Sequence, residues 1–258
     1  MVFITFPMAR RFEAIGAELV RRTAREFIEI AGGVAGFAGA GSPLTHAAGL
    51  GMNGPVSEAD LDQLESWYGE RNSGVAIEVC PLADPSLMQA LARRSHVITE
   101  TSNLLVRRLL PQEEIPAPAL EILQTDDAQA WANLLARGFF EHEPMSGELE
   151  IGTDLLRAEG VRGFTAMIEG ESAATGALAI VDGIACLCAD ATLMRFRGRG
   201  AQLALIRHRL GDAIRSGCEL AIAETTPGTI SQRNYQRCGF EVAWTKLTFV
   251  SPAQVLVR

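Results

Sequence analysis

Hydrophobic positions along this chain switch between unbroken apolar runs and stripes repeating every three to four residues, a pattern that predicts an α/β fold. Residues 184–193 are small and apolar with no helical stripe, as in a buried strand. Leu203, Ile206, Leu210, Ala213 and Ile214 then recur at helical spacing, and Gly217 stops that helix. A second buried strand is predicted at 220–223, a short helix at 231–237 and a strand at 241–250. Earlier in the chain the pattern predicts a helix at 85–94, a strand at 97–106 and a helix at 128–140. Phe12, Ile15, Leu19, Ala24, Phe27 and Ile28 make one apolar face of a helix predicted over 9–30.

These elements contain an echo. Glu78-Val79-Cys80-Pro81 opens a strand, proline turn, helix and strand; Glu224-Thr225-Thr226-Pro227 opens the same series again. Ser95-His96 stands where Gly239-Phe240 stands in the second copy. Between the copies, residues 111–118 carry three prolines and two charges, the composition of a linker. Two domains are therefore expected, 1–110 and 118–258.

The richest chemistry lies where the strand at 184–193 meets the next helix. A strand feeding a helix through a glycine turn presents backbone N–H groups and the positive end of the helix dipole at one spot, a ready anion site. Gly198 and Gly200 leave the backbone open to a pyrophosphate, and Arg195, Arg197 and Arg199 add positive charge. The first half spells a glycine pattern too, Gly49-Leu50-Gly51-Met52-Asn53-Gly54. A dinucleotide site needs a strand before that pattern and a helix opening within it. Here 43–48 is not read as a strand, Pro55 comes at once after it, and the next helix waits for a cap at Ser57 with Asp60. A packing loop is expected instead.

Arg-x-x-Gly-x-Gly at 195–200, then a helix and a strand, then the run 231–240 ending in Cys238-Gly239-Phe240, resembles the GCN5-related N-acetyltransferase (GNAT) superfamily. The resemblance covers roughly 120–250, about half the chain. It implies a fold of two tandem GNAT-like halves, each a mixed, mainly antiparallel sheet flanked by helices. The C-terminal half would bind acetyl-CoA, and the N-terminal half would be a degenerate copy without the phosphate motif. The function implied is transfer of an acetyl group from acetyl-CoA to a primary amine by direct attack, with no metal and no acyl-enzyme. The alternative is a non-catalytic acetyl-CoA sensor or interaction module. The acceptor would be a small-molecule amine or a protein amino group.

The resemblance also implies roles for particular residues. Arg197, Gly198, Arg199, Gly200, Ala201 and Gln202 would bind the pyrophosphate, and backbone N–H groups at Thr192, Leu193 and Met194 would serve a developing oxyanion. Ser231 and Asn234 would contact the coenzyme, Asn234 substituting for an asparagine many relatives carry where this chain has Gly228. Tyr235, five residues before Phe240, would protonate the departing thiolate or pack in the core. An alkyl amine near pKa ~10 must lose a proton before it attacks. The strand carboxylate common in the family is missing from 184–188, and Asp190 is the nearest substitute; strand alternation would put it on the face of Cys186, Cys188 and Thr192. A water chain ending at Asp190, Glu141 or Glu143 would serve equally.

Composition narrows the remaining classes. The 258 residues are 48% hydrophobic and 21% charged, as in a globular protein with a sizeable core. A net charge of −8 argues against nucleic acid as a partner. Residues 2–6 are too short for a signal segment, and no run reaches the ~18 apolar residues of a membrane span. Five cysteines without metal or disulfide spacing point to the cytoplasm. Cys186 and Cys188 read as core residues rather than ligands. Oligomeric state does not follow from the sequence.

Overall fold

A computed structural model of the protein describes residues 4–251; Val2 and Phe3 of the apolar N-terminal segment and the end of the expected second domain lie outside them. The chain forms two compact units. One holds the described residues up to Asn103 and those from Trp244 onward, and the other holds Leu104–Ala243. The proline-bearing stretch 111–118 falls inside the second unit.

The first unit opens with α1 (Phe6–Thr23), capped by the Thr5 side chain on the Met8 amide. The helix expected over 9–30 stops at Thr23, and the rest becomes the strand β1 (Glu26–Ile30). Ala24 already has extended backbone, and three of the five residues Glu26-Phe27-Ile28-Glu29-Ile30 are aromatic or β-branched and favour a strand. Ala31 and Gly32, with φ of 49° and 77°, form the two-residue turn into β2 (Gly33–Phe37), which pairs antiparallel with β1. Then come β3 (Ala47–Ala48), α2 (Glu58–Gly69), β4 (Ala76–Val79), α3 (Pro85–Arg93) and β5 (Val97–Arg108). The chain leaves this unit inside β5 and returns to it inside β11 (Glu241–Val250). Strand order here is β1-β2-β3-β4-β11, with β3 and β4 parallel and the other pairs antiparallel.

The second unit contains β6 (Ile122–Thr125), α4 (Ala128–Phe140), α5 (Ser146–Arg157), β7 (Val161–Ile168), β8 (Glu171–Val181), β9 (Ile184–Thr192), α6 (Ala201–Arg215), β10 (Leu220–Thr225) and α7 (Ile230–Arg237). Its strands run β5-β10-β9-β8-β7-β6; β10 and β9 are parallel, and β9 to β6 are antiparallel. Glu169-Gly170 and Asp182-Gly183 make two-residue turns with positive φ at both positions, which tie β7 to β8 and β8 to β9. One sheet face packs on α6 and α7 through Leu105, Phe164, Leu178, Leu187, Leu205, Ile206, Leu210 and Phe240. The other packs on α4 and α5 around Trp131, whose indole N–H donates to the Phe164 carbonyl at 3.1 Å. Gly152 lets these two helices meet, since a Cβ there would lie 2.7 Å from the Ala132 backbone. The mixed, mainly antiparallel sheets flanked by helices are those expected. No helix among the described residues is long and apolar enough to cross a membrane.

Candidate active site

The glycine turn stands where the sequence places it. After β9 a single 3₁₀ turn, Met194–Phe196, leads to Gly198 and Gly200, at φ of 76° and 83°. Gly200 is the residue before α6 and offers no side chain to cap it; no acidic residue stands in the helix's first turn. The first amide groups of a helix have no partner within it, so they point outward from the start of α6 beside the positive dipole end. A Cβ built on Gly198 or Gly200 meets nothing within 4 Å, so the space ahead of the turn is open.

The first unit has the same series with the opposite chemistry. Contrary to expectation a strand does precede its glycine loop: β3, parallel to β4 through Ala47 and Ile77, as β9 is to β10 through Ile184 and Leu220. The strand was hidden because only two residues of it pair. Yet α2 is sealed at its start. Ser57 and Asp60 form a reciprocal capping box, and Glu58 adds a second carboxylate to the first turn. Gly49 lies close under α1, 3.3 Å from the Glu13 carbonyl for a Cβ built on it.

The side chains around the α6 turn form a joined set. Gln202 donates to the Ser231 hydroxyl at 2.8 Å and accepts from the Asn234 amide at 2.8 Å, so Gln202, Ser231 and Asn234 meet between α6 and α7. Arg197 faces the other way. It reaches the Thr192 carbonyl at 3.3 Å, the Gly138 carbonyl at 3.2 Å and Glu141 at 2.7 Å, fastening the end of α4 to the end of β9. Arg195 pairs with Glu171 and Arg199 with Glu169, both exposed, so salt would screen these pairs readily. The Leu193 amide donates to the Ala173 carbonyl at 3.0 Å. That one of the three expected oxyanion donors is therefore taken by the sheet.

Asp190 is on the face opposite to the one alternation gives it. Opposite Thr175 and Ala177, β9 carries an extra residue, and Ala189 takes a φ of 55° there. A bulge of this kind reverses the alternation. Cys188 and Ala191 face Trp131 and Leu135, whereas Asp190 turns toward α6 and α7. One of its carboxylate oxygens takes Arg209 and the other accepts the Tyr235 hydroxyl. Burial, and next the negative charge of Asp190, push the Tyr235 phenol well above its ordinary value. Tyr235 also stacks edge-on against Phe240 at 5.0 Å. Tyr235→Phe removes the donor and leaves a largely buried carboxylate oxygen without it, so stability should fall by about 1–3 kcal/mol. A shift below about 0.5 kcal/mol in urea unfolding would show that the bond contributes nothing.

Glu141, at the left-handed end of α4 with a φ of 64°, is half exposed. Glu143 pairs with Arg137 at 2.7 Å and His142 with Glu148 at 3.3 Å. Burial raises the Cys188 thiol to about 11. Among the described residues no group of three or more histidine, cysteine and acidic side chains is placed to hold a metal. The sequence reading missed Arg209, whose side chain is fully buried on α6. Its signal, an arginine on the apolar stripe one residue before Leu210, was available.

No family model matches this sequence, and no curated protein does. Solved structures do match. A GCN5-related N-acetyltransferase from Kribbella flavida aligns over 95% of this chain and 96% of its own, with a TM-score of 0.68 at 22% identity. A tandem GNAT protein from the clavulanic acid biosynthesis pathway aligns over 95% of this chain and 94% of its own, with a TM-score of 0.59 at 12% identity. Two tandem halves, a bulged β9 beside a parallel β10 and an open glycine turn before α6 give this chain the fold of the GCN5-related N-acetyltransferases.

Proposed function

We propose that this protein transfers an acetyl group from acetyl-CoA to a primary amine, carried by a small molecule or by a protein. The observation that carries this reading is the uncapped, carboxylate-free start of α6 behind Gly198 and Gly200. Its open space and its orphan donors fit a pyrophosphate. Amides at 198–202 would hold it, with Gln202, Ser231 and Asn234 beside them. Thr192 and Met194 would line the path from there to the thioester. The self-capped α2 supports one coenzyme per chain, with 1–110 as a degenerate half and 118–258 as the binding half.

The amine must still lose a proton. The two oxygens of Asp190 already take Arg209 and Tyr235, so neither is left facing an amine. Solvent reaches both other expected carboxylates, Glu141 and Glu143; we assign the proton, relayed through water, to Glu141, which Arg197 ties to the end of β9. Tyr235 keeps its own proton on Asp190, so the leaving thiolate would be protonated by solvent or by the amine's proton. None of the five cysteines is in a disulfide, which is in keeping with the cytoplasm.

A second reading, a non-catalytic acetyl-CoA-binding module, is favoured by one fact: Tyr235, Asp190 and Glu141 all have partners inside the protein. One titration separates the readings. Calorimetry with acetyl-CoA should give one site per chain, and a panel of amines should then release thiol. Binding without thiol release from any amine favours the module, two sites per chain overturn the degenerate half, and no binding overturns both.

A further inference from the structure

Arg209 is a charged side chain with no exposure in the interior of the second unit, and the proposed chemistry gives it no part. Its contacts converge on one irregularity. Nη1 donates to the Ala177 carbonyl of β8 at 2.9 Å and to the Cys188 carbonyl of β9 at 3.1 Å, the pair at the edge of the bulge. Nη2 pairs with Asp190, two residues beyond Cys188, and Nε returns to the Leu205 carbonyl at 3.1 Å. The guanidinium fits only because β8 has a glycine there: a Cβ on Gly176 would lie 2.7 Å from Cζ. The remaining bulge carbonyl, of Ala189, takes the Thr175 hydroxyl at 3.0 Å.

The bulge decides the course of β9 beyond it. The parallel pairing of β9 with β10 ends at Leu187 and Ala223, although β9 runs on to Thr192 and β10 to Thr225. Past that point the register with β8 shifts, and the amides of β9 are no longer laddered to β10. An unpaired strand edge would be expected to close or fray. Arg209 opposes both by tying the Cys188 carbonyl of β9 to the Ala177 carbonyl of β8 with donors fixed in one plane, and Asp190 balances its charge. Tyr235, on the second oxygen of Asp190, completes the chain Arg209–Asp190–Tyr235 from α6 through β9 to α7.

We propose that Arg209 is a positioning residue: by holding the β9 bulge it sets the stretch 188–192, at whose Thr192 end the acetyl group of the coenzyme would lie. This rests on the acetyl-CoA reading above, and the experiment keeps the two apart. Arg209→Met removes the donors at similar length; Gly176→Ala keeps the charge and displaces the guanidinium, which serves where the first variant does not fold. Amide hydrogen exchange, followed by mass spectrometry without coenzyme, should rise at least tenfold over 188–192 in either variant. Exchange over 178–187 should change less than threefold. Calorimetry then compares CoA with acetyl-CoA, because the pyrophosphate turn is untouched and only the acetyl end depends on the bulge. The preference of the unmodified protein for acetyl-CoA over CoA should shrink at least fivefold, while the affinity for CoA itself holds within threefold. A loss equal for both ligands would mark a merely structural arginine and overturn the proposal, as would unchanged exchange or an unmodified protein that does not prefer acetyl-CoA. An unmodified protein that binds neither ligand overturns the acetyl-CoA reading, and exchange then still reports whether Arg209 holds the bulge.

Discussion

Gly200→Val is expected to weaken acetyl-CoA binding by about a hundredfold, the largest effect of any single change at the coenzyme turn. Several amides at the start of α6 would each donate to a charged oxygen, and such bonds contribute about 1.5–3 kcal/mol apiece. Losing one or two of them through a side chain placed in the pyrophosphate's path amounts to roughly two decades in Kd. The site has room for the offending group, since nothing stands within 4 Å of a Cβ at Gly200. The substitution also has a conformational cost. With φ at 83°, a β-branched residue is strained by about 1–3 kcal/mol, so the variant should melt earlier while remaining folded. Calorimetry at a temperature where circular dichroism shows native structure separates the two effects. Affinity unchanged in a folded variant would place the pyrophosphate elsewhere.

The elements of the second unit that carry the site were legible because their signals are local. Strand, glycine turn and helix at 184–215 follow from apolar runs, a helical stripe and residues that alone tolerate positive φ. What escaped was decided by pairing at a distance. The helix assigned to 9–30 gave way after Thr23, because β1 finds a partner in β2 across the Ala31-Gly32 turn. The β7–β8 and β8–β9 hairpins carried the same kind of signal in Glu169-Gly170 and Asp182-Gly183. A two-residue strand such as β3 leaves almost no periodicity, so the strand before the first glycine loop stayed hidden. Asp190 shows the limit most clearly. Alternation is a sound rule until one extra residue enters the strand, and nothing in Cys188-Ala189-Asp190 announces that Ala189 is left-handed. The cause lies about twenty residues away, in an arginine that fills the place of a side chain Gly176 lacks.

Lys246→Met is expected to destabilise the first unit by about 3–5 kcal/mol, the range found when one partner of a buried ion pair is removed. Lys246 is 2% exposed on β11, and its ammonium lies 3.7 Å from Glu13 of α1 and 3.4 Å from Glu78 of β4. Glu13 is 1% exposed, so taking away this cation removes a counter-charge where water cannot screen the carboxylate. Nearby, Phe12 and Trp244 stack at 5.9 Å, so the charges sit within an apolar frame that methionine fills without a cavity. The same cluster sets an acid limit. Burial alone would raise the Glu78 carboxyl, but His46 and Lys246 outweigh it and hold the group below its ordinary value. A carboxyl lowered in the folded state contributes stability that is present above its unfolded pKa, about 4.3, and is lost as pH falls through the lower folded value. Urea unfolding followed between pH 7 and pH 3 should therefore show a loss confined to the acid end. In Lys246→Met that loss should flatten, because one of the two cations holding Glu78 down is gone. A variant within about 1 kcal/mol of the parent at pH 7, with the acid limb unchanged, would show that the two carboxylates do not depend on Lys246.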